Sequence, residues 1–148
     1  KQENLSEIVD RALVSFRRSS LSSGVDVEVK APGKADALAD ALELELLIVN
    51  LLKNAAAASK DSREKLISVQ LSEEANEWLL SVSDGQVISD KLLSRLSHPA
   101  KSFSDGLGLG LSICRLIAEN HGGKLTFKPN NSKGLIVTLH LPKANKEI

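Results

Sequence analysis

The stretch Leu44 to Ala58, reading LELLIVNLLKNAAAA, restricts the fold more than any other. It is apolar nearly all the way round a helix, so it has to be buried on most of its sides. Its helix is expected to run from about Asp36 to Ser59, with other elements packed around it. Two amides interrupt it. Asn50 and Asn54 are four residues apart and therefore share one helix face. A buried amide left without partners costs about 1–3 kcal/mol. The two must then meet something polar: neighbouring backbone, water or a ligand. Their amide oxygens would suit a hard cation such as magnesium.

The surrounding chain supplies partners for such a helix. Asn4 to Glu7 resembles a capping box, with Asn4 as the cap and Glu7 three residues later. Leu5, Ile8, Val9, Ala12, Leu13 and Phe16 then repeat at helical spacing up to the serine-rich stretch Ser19–Gly24. Val25, Val27 and Val29 alternate with polar residues, predicting a strand that Pro32-Gly33 ends. Ile67, Val69 and Leu71 alternate, as do Trp78, Leu80 and Val82, and Glu73–Asn76 joins them as a hairpin. Residues 89–96 are compatible with a short helix and 98–105 with a loop. A helix from about Gly108 to Asn120 is stopped by Gly122-Gly123, and two strands follow, Lys124–Lys128 and Leu135–Leu141, joined by the turn Pro129–Gly134. This order predicts an α+β fold: one domain over residues 1–148, a two-layer α/β sandwich. Its sheet is mixed and mostly antiparallel, with three helices on one face.

Composition removes several function classes. Lys plus Arg balance Asp plus Glu at 19 each, so no basic excess is available for a nucleic-acid backbone. Aromatic residues make up 3%, too few for base-stacking platforms. The single cysteine, Cys114, lies in a helical apolar pattern and reads as a buried thiol; His98, His121 and His140 are too far apart for a zinc pair. No apolar run reaches membrane-spanning length.

The stretch Ser104 to Gly123, SDGLGLGLSICRLIAENHGG, carries the second chemical signal. Gly106, Gly108 and Gly110 alternate with leucines and then give way to a helix. Glycines allow close backbone approach, and a helix N-terminus offers free N–H groups to a phosphate. Tight packing of a loop is the competing explanation. No Gly-Lys-Ser/Thr follows, so the stretch is not a P-loop. Asp84, followed by Gly85 at the end of a predicted strand, is either a turn residue or a carboxylate aimed at a base amino group.

Taken in order, these signals resemble the ATP-binding catalytic domain of two-component sensor histidine kinases. That domain belongs with the type II topoisomerase, mismatch-repair and heat-shock chaperone ATPases of the Bergerat fold. Asn50-Leu-Leu-Lys-Asn54-Ala resembles the family's N box, Val82-Ser-Asp84-Gly85 its first glycine box, and Asp105–Ile113 its second. His121-Gly122-Gly123-Lys124-Leu125, then Gly134 and Leu141-Pro142, resemble the kinase ending, and Asp40 stands ten before Asn50 as the family's pre-helix Asp does. The resemblance implies ATP and Mg2+ as cofactors. Asn54 would ligate magnesium and carry catalysis, and Asn50 would contact the phosphates or the ion. Asp84 and Gly85 would hold adenine. Gly106, Leu107, Gly108, Leu109, Gly110 and Leu111 would wrap the phosphates below a mobile ATP lid at residues 97–107. Lys101 would either approach the phosphates or remain a solvated loop lysine.

The implied function is transfer of the γ-phosphate to a histidine on a dimerisation domain, for relay to a response regulator. None of the three histidines here sits in an acceptor pattern. The chain, which holds no Met and starts inside a periodic stretch, is therefore expected to be a fragment: monomeric, cytoplasmic, free of membrane contact and not self-phosphorylating. Three positions depart from the family. Leu46 stands where a polar or acidic residue usually precedes Asn50 by four, while Glu45 is one residue off, about 100° around the helix. Ala57 replaces a usual Lys or Arg, and Asp84-Gly85-Gln86-Val87 is a shortened glycine box. A conformational ATPase and a degenerate docking module therefore stay open.

Overall fold

The computed structural model of the chain describes residues 1–59, 65–84, 107–129 and 135–143. The described elements follow in the order β1 (Gln2–Asn4), α1 (Leu5–Arg17), a 3-10 turn (Ser20–Ser22), β2 (Asp26–Lys30), β3 (Asp36–Leu38), α2 (Ala41–Ala58), β4 (Leu66–Glu73), β5 (Glu77–Ser83), α3 (Leu107–Asn120), β6 (Lys124–Pro129) and β7 (Leu135–Pro142). The helix expected at 89–96, the loop at 98–105 and most of the turn before β7 lie outside the described residues.

Five strands form the main sheet in the order β2-β4-β5-β7-β6. The β2–β4 pair is parallel and the other three pairs are antiparallel. A parallel neighbour needs a crossover, and α2, lying between β2 and β4 in the chain, provides it. Period-2 alternation sorts the strand residues by face. Val69 opposes Val82, Leu71 opposes Leu80, Leu80 opposes Leu139, and Trp78 opposes Leu141. All of these are buried and join one core with Ile8, Val9, Ala12 and Phe16 of α1, Leu44, Leu47, Ile48, Leu51 and Leu52 of α2, and Cys114 and Ala118 of α3. Two polar pairs cross the other face among the intervening residues. Ser81 Oγ and Thr138 Oγ1 are 3.0 Å apart, and Thr126 Oγ1 and His140 Nε2 are 2.9 Å apart. The three helices thus cover one face of a mixed sheet, as the alternation predicts.

Two local expectations need correction. The helix expected from Asp36 begins only at Ala41, because Asp40 caps it: the Asp40 Oδ1 accepts from the Glu43 N–H at 3.0 Å. Asp36–Leu38 is instead extended and pairs antiparallel with Gln2–Asn4, a two-stranded sheet that local periodicity does not announce. Asn4 does cap α1, but its Oδ1 accepts from the Ser6 N–H (3.1 Å) rather than from that of Glu7. The same oxygen accepts from the Ala35 N–H at 3.0 Å, and Asn4 Nδ2 donates to the Gly33 carbonyl at 3.2 Å. One amide therefore joins the helix start to the chain around Pro32-Gly33, which brings β3 alongside β1.

Candidate functional site: the α2–α3 seam

Helices α2 and α3 run antiparallel, and three contacts fix their alignment. At one end, a Cβ built on Gly110 would lie 3.8 Å from Asn50 Oδ1 and 4.0 Å from Asn54 Nδ2. In the middle, Cys114 Sγ approaches the Leu47 carbonyl at 3.6 Å. At the other end, His121 Nε2 accepts from the Asp40 N–H at 2.9 Å, and His121 Nδ1 lies 2.9 Å from the Ile117 carbonyl. A backbone N–H can only donate, so the Nε2 lone pair is engaged and the proton sits on Nδ1, where it is donated to Ile117. His121 thus ties the last turn of α3 to the first turn of α2. This task of His121 is not legible in the sequence, because its partner is 81 residues away in the chain.

The two asparagines and Gly110, predicted as one constellation, are brought together. Leu107, Gly108 and Leu109 supply the backbone of the first turn of α3, so the glycine alternation already belongs to the helix. Its first N–H groups lack intrahelical acceptors and form the positive end of the helix dipole. Leu111 is 5% exposed and packs into the core, leaving only its backbone to a ligand. Asn54 Nδ2 is buried and has no hydrogen-bond partner among the described residues. This is the polar atom whose cost the sequence analysis anticipated, and a ligand oxygen would satisfy it.

Asp84 follows β5 and is 7% exposed, with its N–H donating to the Leu135 carbonyl at 3.3 Å. Leu44 and Ile48 of α2 line one small apolar cavity with Trp78 and Leu80 of β5. As the crossover between parallel β2 and β4, α2 runs opposite to β4 and so in the sense of β5, which carries Asn50 and Asn54 toward the end of β5 where Asp84 stands. Gly85, Lys101 and Gly106 lie outside the described residues, as does the expected lid apart from Leu107.

Glu45, one residue away from the usual position of a water-activating base, faces α1. Its Oε2 accepts from Ser15 Oγ at 3.1 Å, and its Oε1 is 3.8 Å from Arg11 Nε. Leu46 is 49% exposed and offers no proton acceptor. Among the described residues no group of three or more His, Cys, Asp or Glu could hold a metal ion. Two amides of α2 opposite the first turn of α3 are a donor set that would fit a different kind of site: a magnesium ion that takes most of its oxygens from phosphates and water. An amide also turns readily to offer either its oxygen or its nitrogen. No described helix is long and apolar enough to cross a membrane.

Burial pushes the Cys114 thiol from its ordinary 9.0 up to about 12. A raised thiol pKa means that the folded chain keeps a proton which the unfolded chain loses first. The stabilisation is complete below pH 9 and is lost as pH rises from about 9 to 12. The thiol is expected to resist iodoacetamide at pH 8 in the folded chain and to react once urea unfolds it. Comparable labelling in both states would contradict its burial.

Residues 39–145 match the family described as histidine kinase-, DNA gyrase B-, and HSP90-like ATPase. The chain belongs to this ATPase family, and within it to the histidine kinase type of catalytic domain. It is 28% identical to the adaptive-response sensory kinase SasA of Prochlorococcus marinus, covering 100% of this chain and 42% of the relative. It is 30% identical to the sensor protein FixL of Bradyrhizobium diazoefficiens, covering 97% of this chain and 29% of the relative. The chain thus spans less than half the length of these relatives. Among solved structures, the nucleotide-free catalytic domain of the histidine kinase ThkA superposes with a TM-score of 0.81 at 25% identity, over 98% of each chain. The mycobacterial sensor histidine kinase MprB shares the fold, with a TM-score of 0.79 at 24% identity.

Proposed function

We propose that the chain binds Mg-ATP in the seam between α2 and α3. There it presents the γ-phosphate to a histidine on a separate dimerisation domain, from which the phosphoryl group passes to a response regulator. The acceptor imidazole nitrogen attacks the γ-phosphorus, the bond to the β,γ-bridging oxygen breaks, and ADP leaves. Such transfer depends on positioning and charge stabilisation more than on covalent chemistry by the protein. The observation that carries the reading is the buried, unpartnered Asn54 Nδ2 facing Gly110 at the start of α3. Asn50 and Asn54 would hold the phosphate-borne magnesium, which when bound would neutralise charge developing on the phosphates. The first N–H groups of α3 would receive phosphate oxygens, and Asp84 would accept from the adenine amino group.

Glu45 is bound to α1 and Leu46 cannot take a proton, so activation of water is disfavoured. That supports phosphoryl transfer over a hydrolytic conformational cycle. Transfer from ATP to a response regulator would take place in the cytoplasm.

Calorimetric titration with Mg-ATP is expected to show one site on the isolated chain. Incubation with γ-labelled ATP is expected to leave the chain unlabelled, and label should appear on histidine when an acceptor dimerisation domain is joined to it. Absent nucleotide binding would remove the reading, and label on the isolated chain would place the acceptor within it.

A further inference from the structure

Asn50 and Asn54 belong to a longer stripe on α2. Asn50, Lys53, Asn54 and Ala57 stand at positions i, i+3, i+4 and i+7, which share one helix face. Gly110 fixes where that face points, because it lies opposite both amides. Lys53 is half-buried there, although a lysine at the edge of a helix face can usually reach water. Its helical neighbours at three and four residues are Val49, Asn50, Ala56 and Ala57, and none of them is acidic. Among the described residues it takes part in no ion pair, whereas half-buried Lys143 is held by Glu73 at 2.6 Å and lies over the Trp78 ring.

The described part of the site is otherwise short of positive charge. It has two neutral amides, a glycine, the backbone of a helix start and the Asp84 carboxyl. A nucleoside triphosphate brings several negative charges to the same place. Lys53 shares the helix face of Asn50 and Asn54, and a lysine tip acts as a compact point charge with three donors.

We propose that Lys53 is a phosphate-binding residue of the site, with its ε-ammonium contacting the terminal phosphate of a nucleoside triphosphate. It supplies from within α2 a cation that Ala57, one turn further on, cannot. The assignment rests on the nucleotide reading given above and adds to it a source of discrimination between triphosphate and diphosphate.

The test compares wild type, Lys53→Ala, Lys53→Arg and Asn54→Ala by calorimetry with ATP, ADP and adenosine, each with magnesium at fixed salt. Lys53→Ala is expected to weaken ATP about tenfold, the size of a lost charge-assisted hydrogen bond. ADP should weaken by less than about threefold and adenosine should not change, because the contact is to the terminal phosphate. Lys53→Arg should keep ATP within about threefold of wild type. Wild-type ATP affinity in Lys53→Ala, combined with loss in Asn54→Ala, would overturn the assignment and leave the nucleotide site standing. Equal weakening of all three ligands would also overturn it, since that pattern marks a general disturbance of the helix. A wild-type chain that binds none of the three removes the nucleotide reading, and the role of Lys53 with it.

Discussion

Asn54→Ala is expected to act in opposite directions on ligand binding and on the stability of the unliganded chain. Without ligand, Asn54 Nδ2 is buried with no partner among the described residues, a cost of about 1–3 kcal/mol for an unsatisfied polar group. Alanine removes that atom and is also the better helix former by roughly half a kcal/mol. The loss of side-chain packing opposes both gains. The net expectation is an unliganded chain about 1 kcal/mol more stable, which raises Tm by roughly 2–4 °C in a domain of this size. Mg-ATP affinity should fall on the order of a hundredfold, because a group meeting a charged partner contributes about 1.5–3 kcal/mol, each 1.4 kcal/mol being tenfold. Thermal melts and titrations on the same samples check both halves. A variant that binds as wild type does, or that melts several degrees lower, would show that Asn54 is held for packing. The opposed signs are what a binding site produces when it keeps a polar atom unpaired until its ligand arrives.

The second large effect falls on Gly123. The chain turns from α3 into β6 through a Schellman close: the Gly122 N–H donates to Glu119 and the Gly123 N–H to Ala118, at 2.9 and 2.8 Å. Gly122 is there for its φ of 75°, where a side chain costs about 1 kcal/mol. Gly123 is there for space. A Cβ on it would lie 1.9 Å from the His140 carbonyl oxygen, which is β7 backbone and cannot swing aside. Gly123→Ala therefore has to move α3 or β7. It is expected to cost about 3 kcal/mol or more, at the upper end for overpacking, and to lower Tm by about 10 °C. Gly122→Ala is the control and should cost about a third as much. A Gly123→Ala chain melting within about 2 °C of wild type would show that the close approach is not needed. Since α3 also carries Gly110 and the tie from His121 to Asp40, the substitution should weaken nucleotide binding at a distance.

Patterns with a short period were legible without coordinates. The alternation of Ile67, Val69 and Leu71 with Trp78, Leu80 and Val82 gives a hairpin whose register pairs apolar with apolar. The spacing of Asn50 and Asn54 puts both amides on one face of a helix that must be buried, which already demands a polar partner. The glycine stop after Asn120 and the Asn4 cap were equally local. Each of these depends on side chains within about one helical turn or on the two-residue strand period, so the chain alone determines it.

The tertiary structure decided what depends on distant partners. Asp36–Leu38 is a strand only because Gln2–Asn4 lies beside it, and the helix-like composition that follows it gave no sign of that pairing. Glu45 stood one residue from the position that the resemblance gives to a base, and its contacts to Ser15 and Arg11 show that it faces α1. His121 could not be assigned a task until Asp40 was found to donate to it. The two glycines ending α3 read alike in sequence, yet one is required by backbone torsion and the other by a carbonyl oxygen from β7. The sequence by itself determined which atoms had to find polar partners. The packing of α3 against α2 decided that Asn54 Nδ2 would find none within the described fold, because Gly110 offers it no side-chain acceptor.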